Sequence, residues 1–415
     1  MGPIALFDKS FLQALSVDES VWFDHFFYPI ICPLFYVETL ADLEKAVRAG
    51  RTPEQEVGFI ARKTPEMHGG PSVHHQTLAL ANLMGRDVPL IARIPIAGGR
   101  PVKVGDQTGV VYEASPEYQA FSRWQKGQFL EVERQFAQRW RASLSSLDLK
   151  AVAERMQSLG VSPQTCKSLQ DAKRLADTIV QGKDKPFDRM KLALLFLDIP
   201  RECERPILEG WSAAGYPPLD LYAPYTVHVI NVELFFQVAL ASGHISSDRP
   251  SNRIDIGYLF YLPFCMMFVS SDKLHRRCAS LYLRPDQDFV WGEDLKADLR
   301  ALNDHYSPFP DSEKEKGIMQ FAAHPPETGD FLVGRLWDRH LRSWRGRREP
   351  EITDREKEKE LVDHLRRFTD APAVTAEEVN FAVDDPDMLS IERSVHKRKG
   401  SWWQVPKDLK ETDAT

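Results

Sequence analysis

Two apolar runs of strand length stand out against the helical periodicity of the rest of the chain. Pro3 to Phe7 is continuous apolar sequence and ends in Asp8-Lys9-Ser10. Cys265 to Val269 is a second such run and leaves through Ser270-Ser271-Asp272. Short runs without alternation suit strands buried on both faces, as in a parallel sheet. Elsewhere the apolar spacing is helical. It predicts a helix over Asp18–Phe27, carrying Trp22, Phe23, Phe26 and Phe27. An apolar link bracketed by Pro29 and Pro33 leads into a helix through Glu38, with Leu34, Val37 and Ala41 on its buried side, running to about Arg48. Further helices are predicted over Thr52–Arg62 (capped by Thr52), His75–Met84 and Pro116–Leu147, the last a single long helix with Phe121, Trp124, Phe129, Val132, Phe136 and Trp140 on one face. Three more follow, over about 148–159, 163–181 and 186–197. Pro224–Ser242 is strongly apolar, and Glu293–Asp304 and Phe331–Trp344 close the helical set. Residues 64–76 read as loop, 88–113 as a hairpin or small sheet, and Leu281-Tyr282-Leu283 as an edge strand.

Between the Pro224–Ser242 helix and the second apolar run, Asn252 to Pro263 reads as a short helix with a proline stop. Asp255 lies in its first turn, where the macrodipole favours a carboxylate. Asp272 lies just past the strand, at the end where ligands bind in open α/β sheets. The two therefore have the means to meet in one crevice. Taken singly, each also fits a plain structural role, Asp255 as a helix cap and Asp272 as a turn residue.

Asp8 at the end of a first strand, Glu38 on an early helix, Asp255 opening a late helix and Asp272 after a late strand form an order that resembles the PIN-like nuclease family. The resemblance spans roughly residues 1–45 and 220–340. It implies an α/β fold, a three-layer α/β/α domain with a small parallel sheet. It divides the chain into a discontinuous PIN-like domain (1–60 and 216–345), a mostly helical insertion with a small hairpin (61–215) and a charged helical extension (346–415). It also implies that Asp8, Glu38, Asp255 and Asp272 are at once the catalytic residues and the ligands of Mg²⁺ or Mn²⁺, in a metal-dependent endoribonuclease. Carboxylates and water are the usual ligands of those hard cations. Lys9, Ser10, Ser271 and Lys273 flank the acids and are candidates to contact substrate. The expected partner is RNA, with single-stranded DNA as the alternative substrate and a regulatory protein or a second copy of the chain as further candidates. A catalytically silent scaffold or binding module on the same fold is the alternative function.

Composition narrows these readings. With 415 residues, 43% hydrophobic and 10% aromatic, the chain has enough apolar material for a packed protein of two or three domains. The formal net charge of −7 gives no bulk attraction to a polyanion, so nucleic acid must be held by local cations. The five scattered cysteines contain no CxxC pair and fit a reducing compartment, with Cys32 and Cys265 as core residues. Asp8 and Lys9 interrupt the first apolar run and Pro263 the longest later one, so no leader or membrane span is expected and a cytoplasmic home is.

Other motifs carry less. Gly98-Gly99-Arg100-Pro101 lacks the Gly-Lys-Ser/Thr ending of a phosphate loop, and no GxSxG elbow is present. His68, His74 and His75 invite a zinc reading, but adjacent histidines point to different sides and no carboxylate sits at ligand spacing, so exposed or hydrogen-bonded histidines are the favoured reading. Glu233, set among apolar residues, needs an arginine such as Arg249 or Arg253, or else supports the acidic site. The stretch His396-Lys397-Arg398-Lys399 followed by Trp402-Trp403 suits single-stranded nucleic acid. It suits equally a tail that docks its tryptophans on its own domain.

Overall fold

The computed structural model describes residues 2–44, 50, 52–92, 95, 100–104, 107–111, 116–181, 186–341, 344–345, 359 and 395–409. At its centre is a parallel sheet of β1 (Ile4–Phe7), β2 (Tyr28–Ile31), β3 (Gly70–Pro71), β4 (Met267–Ser270) and β5 (Asp288–Trp291), in the order β3-β2-β1-β4-β5. The two apolar runs are thus neighbours, with Leu6 opposite Phe268 and Phe7 opposite Val269. Alternate strand residues enter different cores. Leu6, Ile30 and Phe268 face one, and Ala5, Phe7, Ile31, Met267 and Val269 face the other. The first core is filled by the Pro224–Ala241 helix and by residues such as Ala172, Ala176 and Trp211. The second is filled by Phe11, Trp22, Phe23, Leu299 and Trp337. The result is an α/β fold of three layers, a sheet between two helical layers.

Several expectations need correction. Tyr28–Ile31 is a strand rather than a link, and the sheet reaches Gly70–Pro71, inside the stretch assigned to the insertion. The edge strand is Asp288–Trp291, whereas Ala279–Leu281 is a single 3₁₀ turn. The helices Leu149–Ser158, Leu169–Gln181, Pro186–Phe196 and Arg201–Ala213 contribute to the first core. Pro116–Leu147 is two helices, Pro116–Gln125 and Glu131–Ser145, with Gly127 at φ 72° in the turn. Glu133 ties them by accepting from Arg123 and from Trp124 Nε1 (2.8 Å). Because the break rotates the second helix, Trp124 is buried while Val132 is 64% exposed.

Arg100–Val104 and Gln107–Val111 form the expected antiparallel hairpin. Glu233 pairs with Arg253. The His74 side chain is exposed, and the His75 ring stacks on Phe260 (centroids 4.3 Å). The His68 backbone N–H donates to Asp24. The Glu38 helix is Pro33–Ala41, followed by a 3₁₀ turn at Asp42–Glu44; its expected end at 45–48 and most of 346–394 lie outside the described residues. The end of the expected helical extension is a hairpin, Arg398–Lys399 with Trp402–Trp403. Its Trp402 is buried against Trp22 (centroids 4.8 Å), so the tail docks on the body rather than offering that ring to nucleic acid. Among the described residues no helix is long and apolar enough to cross a membrane.

Candidate functional site

From β1 the chain proceeds to β2 on one side, and from β4 to β5 on the other. The direction of winding therefore reverses between β1 and β4, and a crevice opens at their carboxyl ends. Asp8 leaves β1 there, and Ser270, Ser271 and Asp272 leave β4.

Asp8 is buried and caps the Lys9–Ala14 helix. Its Oδ1 accepts from the Phe11 N–H (2.9 Å), and its Oδ2 from the hydroxyls of Ser10 (2.6 Å) and Ser270 (2.7 Å). Burial pushes this carboxyl up, but the neighbouring His275 and these hydrogen bonds outweigh it and hold Asp8 below the usual range. Asp272 caps the Lys273–Cys278 helix, its Oδ1 accepting from the N–H groups of Leu274 (2.5 Å) and His275 (3.3 Å). Glu38 Oε2 accepts from the Tyr258 hydroxyl (2.5 Å). Burial raises the Glu38 carboxyl, with Lys9 pulling the other way.

Asp255 differs from the other three. Its carboxylate accepts no hydrogen bond from the described residues, although it sits in the first turn of Asn252–Gly257. Burial pushes it to about 7, with Glu38, Asp272 and Asp8 adding repulsion and His275 opposing them. The four acids picked out by their order along the chain thus lie within electrostatic reach of one another.

His275 was not singled out by the sequence, and it binds the cluster together. Its Nε2 lies 2.7 Å from the Asp255 carbonyl oxygen, which can only accept. Its Nδ1 lies 2.7 Å from Ser270 Oγ and 3.4 Å from Asp8 Oδ2. The Ser270 hydroxyl proton is committed to Asp8, so Nδ1 must donate as well. Both ring nitrogens are donors, and the buried ring is an imidazolium. Burial pushes its pKa down, yet Asp8 first, then Asp255 and Asp272, lift it to about 9. The only local signal is its place three residues beyond a capping aspartate.

A cavity of about 440 Å³ opens beside the cluster, lined by Asp255, Ser271, Asp272, Lys273, Arg249 and Arg277 among others. Asp8 and Glu38 do not line it. Of the flanking candidates, Ser271 and Lys273 reach the cavity, whereas Ser10 is spent on Asp8. Lys9 is buried, its Nζ 2.7 Å from Asp42 and 3.0 Å from the Glu38 carbonyl.

Among the described residues no three His, Cys, Asp or Glu side chains are disposed to hold one ion. Hydroxyl and N–H donors occupy both carboxylate oxygens of Asp8, and the Tyr258 hydroxyl occupies Oε2 of Glu38. The donor chemistry nevertheless fits a small hard cation, which is commonly bound through one or two carboxylates with water and substrate phosphate completing the shell. Among the described residues no hydrogen bond reaches the carboxylate of Asp255 or the Oδ2 atom of Asp272, and both residues line the cavity. Compared with known protein families, curated proteins and solved structures, the chain matches none.

Proposed function

We propose that the protein is a PIN-like endoribonuclease dependent on Mg²⁺ or Mn²⁺. The observation that carries this reading is the convergence of Asp8, Glu38, Asp255 and Asp272 at the carboxyl edge between β1 and β4, the crevice of a parallel α/β sheet. Asp255 and Asp272 are the residues that would hold the cation, with Asp8 and Glu38 supplying negative charge behind them. When bound, such a cation offsets charge on a phosphodiester and makes water a better nucleophile. Burial and like charges lift the free Asp255 carboxyl to about 7, and a cation held beside it would favour the ionised form and draw it down. His275 holds the Asp255 backbone and the Asp8 carboxylate in fixed relation, and Lys273 stands where a substrate phosphate enters.

The test is cleavage of labelled single-stranded RNA and DNA by wild type and Asp255→Asn, with Mg²⁺, Mn²⁺ or EDTA. Wild type is expected to cut RNA only with metal, and Asp255→Asn to be slower by about 10²–10⁴. Equal cutting by both proteins would point to a contaminant. A silent wild type across metals and substrates would favour the second reading, a PIN-like scaffold without catalysis. What favours that reading is His275, whose imidazolium already offsets charge inside the acidic cluster.

A further inference from the structure

We infer that Arg249, Lys273 and Arg277 form a phosphate-binding wall that holds single-stranded nucleic acid by its backbone, without regard to base sequence. The three cations come from two separate elements, the turn ahead of the Asp255 helix and the helix that Asp272 caps, and they line the same cavity. Arg277 is anchored there by donating from Nη2 to the His244 carbonyl (3.1 Å). Arg249 and Lys273 are exposed and make no ion pair with the described residues, although Asp255 and Asp272 line the same cavity. Other cations of this region are spent, Arg253 on Glu233 and Lys9 on Asp42. A cleft that keeps its carboxylates and its cations unpaired suits a ligand that is itself an anion and also shares a metal ion.

The rest of the lining sets the mode of recognition. It contains no Phe, Tyr or Trp and a single aromatic ring, His244, which is held at the Cys166 carbonyl (3.0 Å), so bases find little of the stacking platform that single-strand binders use. Recognition then falls on phosphates, which makes it indifferent to sequence and sensitive to salt. A cavity of about 440 Å³ is in the range of small-ligand sites and takes roughly one or two nucleotides. A duplex is too wide to enter such a cavity whole and would meet only its rim.

This inference rests on the proposed nuclease reading only for which phosphate meets the acids, and binding can be measured without cleavage. The probes are fluorescein-labelled 12-mers of oligo(U), mixed-sequence RNA, mixed-sequence DNA and an RNA duplex, titrated by anisotropy in EDTA and in Ca²⁺ over 50–300 mM KCl. Three neutralised phosphates on a single strand give a slope of log affinity against log salt of about −2. Arg249→Ala and Lys273→Ala, which touch no internal hydrogen bond, are each expected to flatten the slope by about 0.7 and to weaken binding about three- to tenfold. Oligo(U) and mixed strands should bind alike, and the duplex more weakly. An unchanged slope in the Arg249→Ala/Lys273→Ala double variant would overturn the assignment, as would a preference for duplex or no wild-type binding at 50 mM KCl. Cleavage of the same RNA in Mg²⁺ separates the two readings. Binding through these residues without cleavage leaves the wall standing and removes the nuclease. Cleavage at full rate by the double variant does the reverse.

Discussion

His275 turns a repulsive set of acids into a balanced one, and its contribution depends on pH with a definite sign. A histidine raised from 6.5 to about 9 contributes stability that is complete below 6.5 and lost as pH rises through 9. Asp255, a carboxyl raised from 3.8 to about 7, acts in the same direction. The folded state keeps its proton where the unfolded chain has lost it, so that contribution is present below about pH 4 and gone above 7. Together they predict that stability falls between about pH 4 and 9, by on the order of several kcal/mol at roughly 1.4 kcal/mol for each pKa unit. Asp255→Asn should flatten the lower part of this decline and His275→Gln the upper part. Melting temperatures measured across that range decide the matter, and the same decline in all three proteins would contradict the assignment. Mg²⁺ added at pH 8 should raise the wild-type melting temperature by mass action, and Asp255→Asn should blunt that rise.

At the scale of elements, legibility followed the length of the pattern. β1 and β4 were visible because each is a continuous apolar run, and the four acids were visible because their order along such elements carries information. β2 was hidden by its own Pro29, a residue that removes a ladder donor and is uncommon in a strand paired on both sides. β3 is two residues long, too short for any periodicity. The turn at Gly127 was missed because apolar positions three to five residues apart look the same on either side of a break. His275 was not legible at all, since its importance comes from Ser270, Asp8 and Asp255 meeting around it. The short β3 also yields a prediction. Gly69 sets it beside β2 with φ at 70°, and a Cβ there would fall 1.8 Å from the Pro29 carbonyl oxygen. Gly69→Ala thus combines an unfavourable backbone with a collision against backbone that cannot swing aside. A cost of at least about 2 kcal/mol is expected in urea unfolding. A cost below about 0.5 kcal/mol would show that β3 is not held as described.

At the scale of the molecule, distant parts of the chain close on one another: Met266 donates to the Ile4 carbonyl, and the C-terminal hairpin seals the second core. Trp402 packs on Trp22, and its Nε1 donates to Asn303 (2.8 Å). The Ser401 N–H donates to Asp18, and Lys399 Nζ to the Thr64 carbonyl (2.8 Å). Beneath them Glu66 is buried. Burial raises its carboxyl, but His396 and Lys399 outweigh that and hold it at about 2. His396, Lys399 and Trp402 are therefore fasteners, while Arg398 is exposed over the half-buried Trp403, and none of the groups the three fasteners touch lines the cavity beside Asp255. Trp402→Ala should cost about 3–5 kcal/mol, the usual range for emptying a large aromatic from a core. Lys399→Met, which leaves Glu66 and the Thr64 carbonyl short of a partner, should cost about 1–3 kcal/mol. The two losses should fall short of additive, because both residues hold the same hairpin. Neither variant should alter the salt slope of RNA binding, in contrast to Arg249→Ala and Lys273→Ala. Urea unfolding and anisotropy on the same preparations separate the roles: a flatter salt slope at unchanged stability would return this hairpin to the nucleic-acid surface.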